Sequence, residues 1–174
     1  MALETIAIIG AATSGRSIAL RALRAGYRVV LEDFSTQTLE CAAAWLSNKI
    51  SPALQTNLQF TVGVENAIRD ANLIIETSAD EMETKIELFT IFDKFAKPGA
   101  IFATTSEAHS ISEIAEVTAY PERCVAIRLD SARDSARFKT IAGEHTSRST
   151  IDACDELTQR LNDSSSTMPT SLDL

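Results

Sequence analysis

Short apolar, β-branched runs alternate along this chain with stretches whose apolar residues recur at helical spacing. "TIAIIG" reads as a buried strand ending at Gly10, and "SGRSIALRALRA" as the helix that follows, with Gly26 as its C-terminal cap. "YRVVLED" is a second buried strand, and "STQTLECAAAWLSNKI" a second helix opened by Ser35. "LQFTV" reads as a short third strand and "NLIIETS" as a fourth. The clearest helix is "DEMETKIELFTIFDKFA", where Met82, Ile86, Phe89 and Phe92 form an apolar stripe and the acidic first turn suits the helix dipole. "KPGA" breaks it, and "AIFATT" makes another strand. "ISEIAEVTA" is a short helix, "CVAIRL" a strand, "RFKTIA" a further strand, and "TIDACDELTQRL" a final helix.

The order β-α-β-α-β-β-α-β-α-β predicts parallel strands joined by helical crossovers. The expected fold is therefore a doubly wound α/β domain with a mostly parallel sheet. It occupies residues 1–161 as a single domain, and 162–174 form a polar, Ser- and Thr-rich tail expected to be disordered. At 174 residues one domain buries a substantial core.

Composition removes several classes of function. A net charge of -8, with no Lys/Arg run, opposes a phosphate-backbone partner, so nucleic acid is not expected. No apolar run approaches the roughly 18 residues that span a bilayer, so no membrane partner is expected either. The opening "MALETIAIIG" has no basic n-region, and the three cysteines are odd in number, far apart and without a CxxC. Both features point to a cytoplasmic protein with reduced thiols. His109 and His145 are the only histidines and share no ligand spacing, so no metal site is expected. The cluster Asp80, Glu81 and Glu83 reads as a dipole-complementing first turn.

Candidate chemistry begins at "IAIIGAATSGRSIA". A strand, a glycine-bearing turn and a helix, followed by an acid at the end of the next strand, make the Rossmann-type dinucleotide fingerprint. Gly10 serves the tight turn and Gly15 the close helix–strand packing. The amides of residues 11 to 15, through Ala12, Thr13 and Ser14, point from the helix N-terminus at a pyrophosphate. Asp33 ends the second strand, where a carboxylate accepts from both ribose hydroxyls. Glu32 beside it, with no adjacent Arg, disfavours a 2′-phosphate, so NAD is expected over NADP. Ala12 stands where the fingerprint has its middle glycine, and its methyl occupies the approach of the pyrophosphate. A domain whose first turn merely needs small residues remains the alternative.

The stretch from about Ile6 to Gly143 resembles the NAD-binding domain of L-3-hydroxyacyl-CoA dehydrogenases. The resemblance lies in the cradle, in "IIETSADEMETKIELFTIFDKFAKPGAIFATTS", and in "HSISEIAEVTAYPERCVAIRL". It implies an NAD cofactor held by Asp33, by Asp80 in place of a glutamate near the nicotinamide half, and by Lys85. It also implies a catalytic histidine in a His-Phe-Phe-Asn-Pro run and an orienting glutamate about a dozen residues later. Here "RLDSA" puts Arg128 at the histidine and Ser131 at the asparagine, and the glutamate falls at or near Thr140. Glu107 replaces a substrate-contacting serine. A guanidinium stays protonated at neutral pH and is no general base.

By the same resemblance, the C-terminal helical domain that completes the acyl-CoA cleft and forms the dimer lies outside the chain. Either a separate C-terminal-domain subunit supplies it, or the protein never uses that substrate; a homo-oligomer is the other expected assembly. Glu107, His109, Arg128 and Asp130 gather at the strand ends near the nicotinamide position. His109 oriented by Glu107 or Asp130 is one candidate base. An Arg128–Asp130 ion pair, or Arg128 binding a ligand carboxylate or phosphate, is the alternative. The partner is a small-molecule hydroxyacyl or hydroxy-acid substrate together with NAD, or NAD(H) alone in a non-catalytic binding or scaffold protein.

Overall fold

The computed structural model describes residues 3–130 and 137–164. The chain runs β1 Thr5–Ile9, α1 Thr13–Arg24, β2 Arg28–Glu32, α2 Thr36–Ser47, a single turn α3 Pro52–Gln55, β3 Leu58–Thr61 and α4 Val64–Ile68. It continues through β4 Leu73–Glu76, α5 Met82–Phe95, β5 Ile101–Thr104, α6 Ile111–Ala115, β6 Cys124–Asp130, β7 Arg137–Ala142 and α7 Arg148–Asp163. The strands form one sheet in the order β3-β2-β1-β4-β5-β6-β7. All pairings are parallel except β6–β7, an antiparallel pair at the edge. This is the doubly wound, Rossmann-type architecture that the strand–helix alternation predicts.

Alternate strand residues feed opposite layers. Ile6 and Ile8 join the core beneath α1, α2 and α7, whereas Ala7 and Ile9 join the core beneath α4, α5 and α6. Both faces of β1 and β4 are therefore covered, which is why they read as continuous apolar runs. In the second layer Phe89, Phe92 and Phe102 form a ring cluster with centroids 5.3 to 6.3 Å apart. Such tilted and edge-to-face contacts add to simple area burial.

Three local expectations are corrected. The direct β3-to-β4 step contains α4, whose five residues are too short to announce themselves by periodicity. The turn α3 was likewise hidden in "SPALQ", where Ser51 and Pro52 start a helix that goes nowhere. The buried stripe of α5 is Lys85, Phe89 and Phe92, while Met82 and Ile86 are only half-buried. Lys85, which the resemblance names only as a cofactor contact, is drawn inside by its ion pair with Glu76.

Toward the C-terminus, α7 continues through Asp163, and the Ser164 hydroxyl donates to the Arg21 carbonyl at 3.1 Å. The boundary expected at 161 thus falls within the last helical turn. Residues 165–174 of the expected tail, and Ser131, lie outside the described residues.

Candidate functional site

The turn after β1 is built by contact, not only by composition. Gly10 has φ +102°, and a Cβ there would lie 2.8 Å from Thr77 Oγ1. A Cβ on Gly15 would lie 1.8 Å from the Gly10 carbonyl oxygen, so the helix can approach the strand only with glycine at that position. Ala12 differs. It is the N-cap of α1 with φ -68° and ψ -165°, extended backbone that any residue adopts, and it is exposed, as are Thr13 and Ser14. Folding therefore does not require glycine at residue 12.

Asp33 is buried at the end of β2. Its Oδ2 accepts from the Ala11 amide at 2.9 Å and its Oδ1 from the Ser35 amide at 2.9 Å. The first of these corrects the expectation that all amides from 11 to 15 face a ligand, because Ala11 is turned toward Asp33. The carboxylate still has lone pairs for further donors. Glu32, also buried, accepts from the Gly63 amide at 3.1 Å. Burial pushes its carboxyl pKa up, opposed by the Gly63 hydrogen bond and reinforced by the neighbouring Asp33 charge.

A second cluster was only half visible in the sequence. Glu76, fully buried at the end of β4, lies 3.1 and 3.2 Å from Lys85 Nζ through its two oxygens. It also accepts from Thr104 Oγ1 at 2.7 Å and from the amide and hydroxyl of Ser78. Lys85 donates as well to the Ala79 carbonyl at 3.2 Å and lies 3.5 Å from Asp80 Oδ1. Asp80 in turn accepts from Ser106 Oγ at 2.5 Å, Ala108 N at 3.1 Å and Glu107 N at 3.3 Å. The Ser106 bond is the main influence holding the Asp80 carboxyl below the usual carboxylate range. The Ala108 and Glu107 amides and the Lys85 charge assist, against a desolvation penalty. Glu76, Thr77, Ser78 and Ser106 were not among the sequence candidates. The signal available was a glutamate closing an otherwise apolar strand, followed by two hydroxyl residues.

Arg128, from β6, donates through Nε to the Ser106 carbonyl at 2.8 Å and through Nη2 to the His109 carbonyl at 3.2 Å. It straps the loop that follows β5. Asp130 pairs with Lys139, which corrects the expected Arg128–Asp130 pair. Asp130 and Glu107 do not orient His109. Its ring Nε2 sits 3.2 Å from the Asp80 carbonyl oxygen and 4.0 Å from Asp80 Oδ1. Glu107 itself is exposed at the cleft rim. Thr140, the expected glutamate position, lies opposite Ile127 in the β6–β7 register, and its buried hydroxyl has no hydrogen-bond partner.

These groups surround a cleft of about 340 Å³ at the carboxyl edge of the sheet. Ser14 of α1, Thr77, Ser78 and Asp80 after β4, Ser106 after β5, and Phe138 of β7 are among its lining residues. It opens where the strand order reverses between β1 and β4, the place at which open α/β sheets take their ligands. Among the described residues, no group of three His, Cys, Asp or Glu side chains is arranged to hold a metal. No described helix is long and apolar enough to cross a membrane.

Fold and cleft together define a Rossmann-type dinucleotide-binding domain. Residues 5–165 match the family model for the NAD-binding domain of 3-hydroxyacyl-CoA dehydrogenase, and the chain belongs to that family, with NAD as its cofactor. A 3-hydroxybutyryl-CoA dehydrogenase of Clostridioides difficile is 25% identical over 171 residues, which cover 90% of this chain and 60% of the relative. An L-carnitine dehydrogenase of a Pseudomonas species is 31% identical over 132 residues, 71% of this chain and 41% of the relative. The crystal structure of (S)-3-hydroxybutyryl-CoA dehydrogenase from Ralstonia eutropha superposes with a TM-score of 0.83 at 21% identity, covering 92% of this chain and 62% of that one. The chain thus spans about 40–60% of the length of these two curated relatives.

Proposed function

We propose that this chain binds NAD(H) across the carboxyl edge of its sheet and does not itself run the alcohol–ketone exchange for which its family is named. The residues present fit the cofactor. Gly10 and Gly15 shape the turn, and Ala12, Thr13 and Ser14 present the open end of α1 to a pyrophosphate. Asp33, pinned by two amides, takes the adenosine ribose. Asp80 and Lys85 stand at the nicotinamide half, where NAD supplies hydride chemistry when bound.

The carrying observation is Arg128. Arg128, which the resemblance sets at the family's histidine, has its guanidinium engaged with the Ser106 and His109 carbonyls, and Thr140, at or near the glutamate position by the same resemblance, carries no carboxylate. General-base catalysis commonly contributes about 10²–10⁴ in rate, and this arrangement forgoes it. Three free cysteines, two of them buried, accord with a reducing, cytoplasmic setting.

A second reading, hydride transfer with a different hydroxy substrate, is favoured by one contact: the ring of His109 beside Asp80. The relatives' greater length also accommodates a reading in which a separate subunit completes the cleft. Steady-state assay of NADH oxidation with acetoacetyl-CoA, followed by NAD reduction across a panel of hydroxy acids, separates these readings. No turnover at saturating cofactor supports the binding role. Turnover abolished by His109→Gln supports the catalytic one.

A further inference from the structure

The charged side chains that line the cleft, among the described residues, are Asp80, Lys85 and Glu107. They do not balance. The Lys85 side chain is 1% exposed, and its Nζ is held by the fully buried Glu76, whose two oxygens lie 3.1 and 3.2 Å away. Asp80 lies 3.5 Å from the same Nζ, yet its side chain is 41% exposed. The Ser106 hydroxyl at 2.5 Å and the Ala108 and Glu107 amides at 3.1 and 3.3 Å hold that carboxylate in place. Their hydrogen bonds, that of Ser106 foremost, keep it ionised at neutral pH. Glu107 adds a further carboxylate at the exposed rim. Arg128 supplies no counter-charge to the cleft, because it is not a lining residue and its N–H groups engage the Ser106 and His109 carbonyls. One ammonium thus stands against the three carboxylates of Glu76, Asp80 and Glu107, and it is the ammonium that is sealed from solvent.

We propose that this imbalance makes the protein selective for the oxidised cofactor, so that it binds NAD in preference to NADH. The inference rests on the NAD(H) reading above and deepens it from a cofactor site to one that distinguishes oxidation states. The oxidised nicotinamide ring carries a positive charge that the reduced ring lacks. The two forms otherwise present the same adenosine, pyrophosphate and ribose groups, so a net negative cleft acts on the one difference between them. Attraction to one net charge across a partly open cleft is on the order of tenfold in affinity. A tenfold preference for the oxidised form lowers the potential of the bound two-electron couple by about 30 mV. Occupancy then follows the ratio of NAD to NADH as well as their total, and no turnover is needed for the protein to register it.

The test is calorimetric titration at pH 8 of the wild type, Asp80→Asn, Glu107→Gln and Asp155→Asn with NAD, NADH and ADP-ribose, which lacks the nicotinamide. Asp155 is exposed on α7, which contributes no lining residue to the cleft, so its variant removes the same unit of charge elsewhere. The wild type is expected to bind NAD about tenfold more tightly than NADH. Each cleft variant is expected to shrink that ratio by about threefold or more, and Asp155→Asn to leave it unchanged. All four proteins are expected to bind ADP-ribose alike, which shows that the substitutions leave the fold in place. Equal affinities, or tighter binding of NADH, in the wild type would overturn the inference while leaving the NAD(H) reading intact. A preference that survives both cleft variants, or that Asp155→Asn reduces equally, would overturn it too, since its source would not be these carboxylates. A wild type that binds none of the three ligands would overturn both.

Discussion

Lys85 Nζ and the Glu76 carboxylate lie 3.1 Å apart with both side chains almost wholly removed from solvent. The pair joins the end of β4 to the first turns of α5, and through Asp80 and Ser106 it reaches the loop that Arg128 straps. The floor of the cleft is thereby one connected polar unit inside an apolar fold. Buried charges of this kind hold geometry only while every partner is present.

Removing one partner should therefore cost much more than removing both. Lys85→Met is expected to lower unfolding stability by about 3–5 kcal/mol, since it leaves the buried Glu76 charge without its cation, and Glu76→Gln by less, since Asp80 still lies 3.5 Å from Lys85 Nζ. The double variant should recover a large part of that loss. Urea denaturation of the three variants and the wild type measures the coupling. Additive losses would show that the pair does not act as a unit.

The turn after β1 makes opposite predictions for neighbouring positions. Gly15→Ala pushes a methyl into the Gly10 carbonyl and should abolish NAD binding and lower the melting temperature. Ala12→Gly should leave folding nearly unchanged, because Ala12 is exposed in ordinary extended backbone, and should tighten NAD binding several-fold by clearing the approach to the loop. Thermal melts with and without NAD report both effects.

Glu32 imposes a pH dependence whose sign follows from its environment. Its folded pKa is raised, chiefly by burial, so its favourable contribution is complete below the unfolded value of about 4.3 and is lost as pH rises through the folded value. Stability should therefore decline from about pH 4.3 upward by a component that Glu32→Gln removes, because the amide oxygen can still accept from Gly63. Chemical denaturation at pH 5 and pH 7 is expected to show a smaller difference in the variant. An unchanged difference would assign the dependence elsewhere.

The cysteines should separate cleanly by reactivity. Burial pushes the Cys124 thiol up to about 11 and the Cys154 thiol up to about 12, whereas Cys41 is exposed on α2. The thiolate is the reactive form, so native-state alkylation at pH 8 should modify Cys41 alone. Intact mass spectrometry is expected to show a single adduct, rising to three only after denaturation.

Most of the scaffold was legible because it depends on local pattern. The runs "TIAII" and "LIIE" are apolar at every position because both sheet faces are covered, and the hydroxyl of Ser35 announces the start of α2 as a cap. The antiparallel turn of β7 was not legible, since its direction depends on pairing with β6 and not on its own sequence. At the site, the sequence exposed Gly10, Gly15 and Asp33, whose roles follow from spacing. It concealed what the charged groups do to one another. Lys85 is named by the resemblance as a cofactor contact, and nothing in the sequence shows its burial against Glu76. Arg128 reads as a partner of Asp130 or of a ligand anion until the carbonyls of Ser106 and His109 are found to take its N–H groups. These contacts link residues 9 to 22 positions apart in the chain, and no local periodicity encodes them.

The central claim is dinucleotide binding without the family's base chemistry, and one paired titration tests it. Calorimetry of the wild type with NAD and NADH, repeated on Asp33→Ala, should show saturable one-site binding that the variant weakens by about tenfold or more, as loss of a charged hydrogen-bonding partner implies. The same NADH-saturated protein, mixed with acetoacetyl-CoA, should show no decay of the reduced cofactor beyond the uncatalysed rate. Absence of nucleotide binding, or rapid NADH oxidation by this chain alone, would contradict the account.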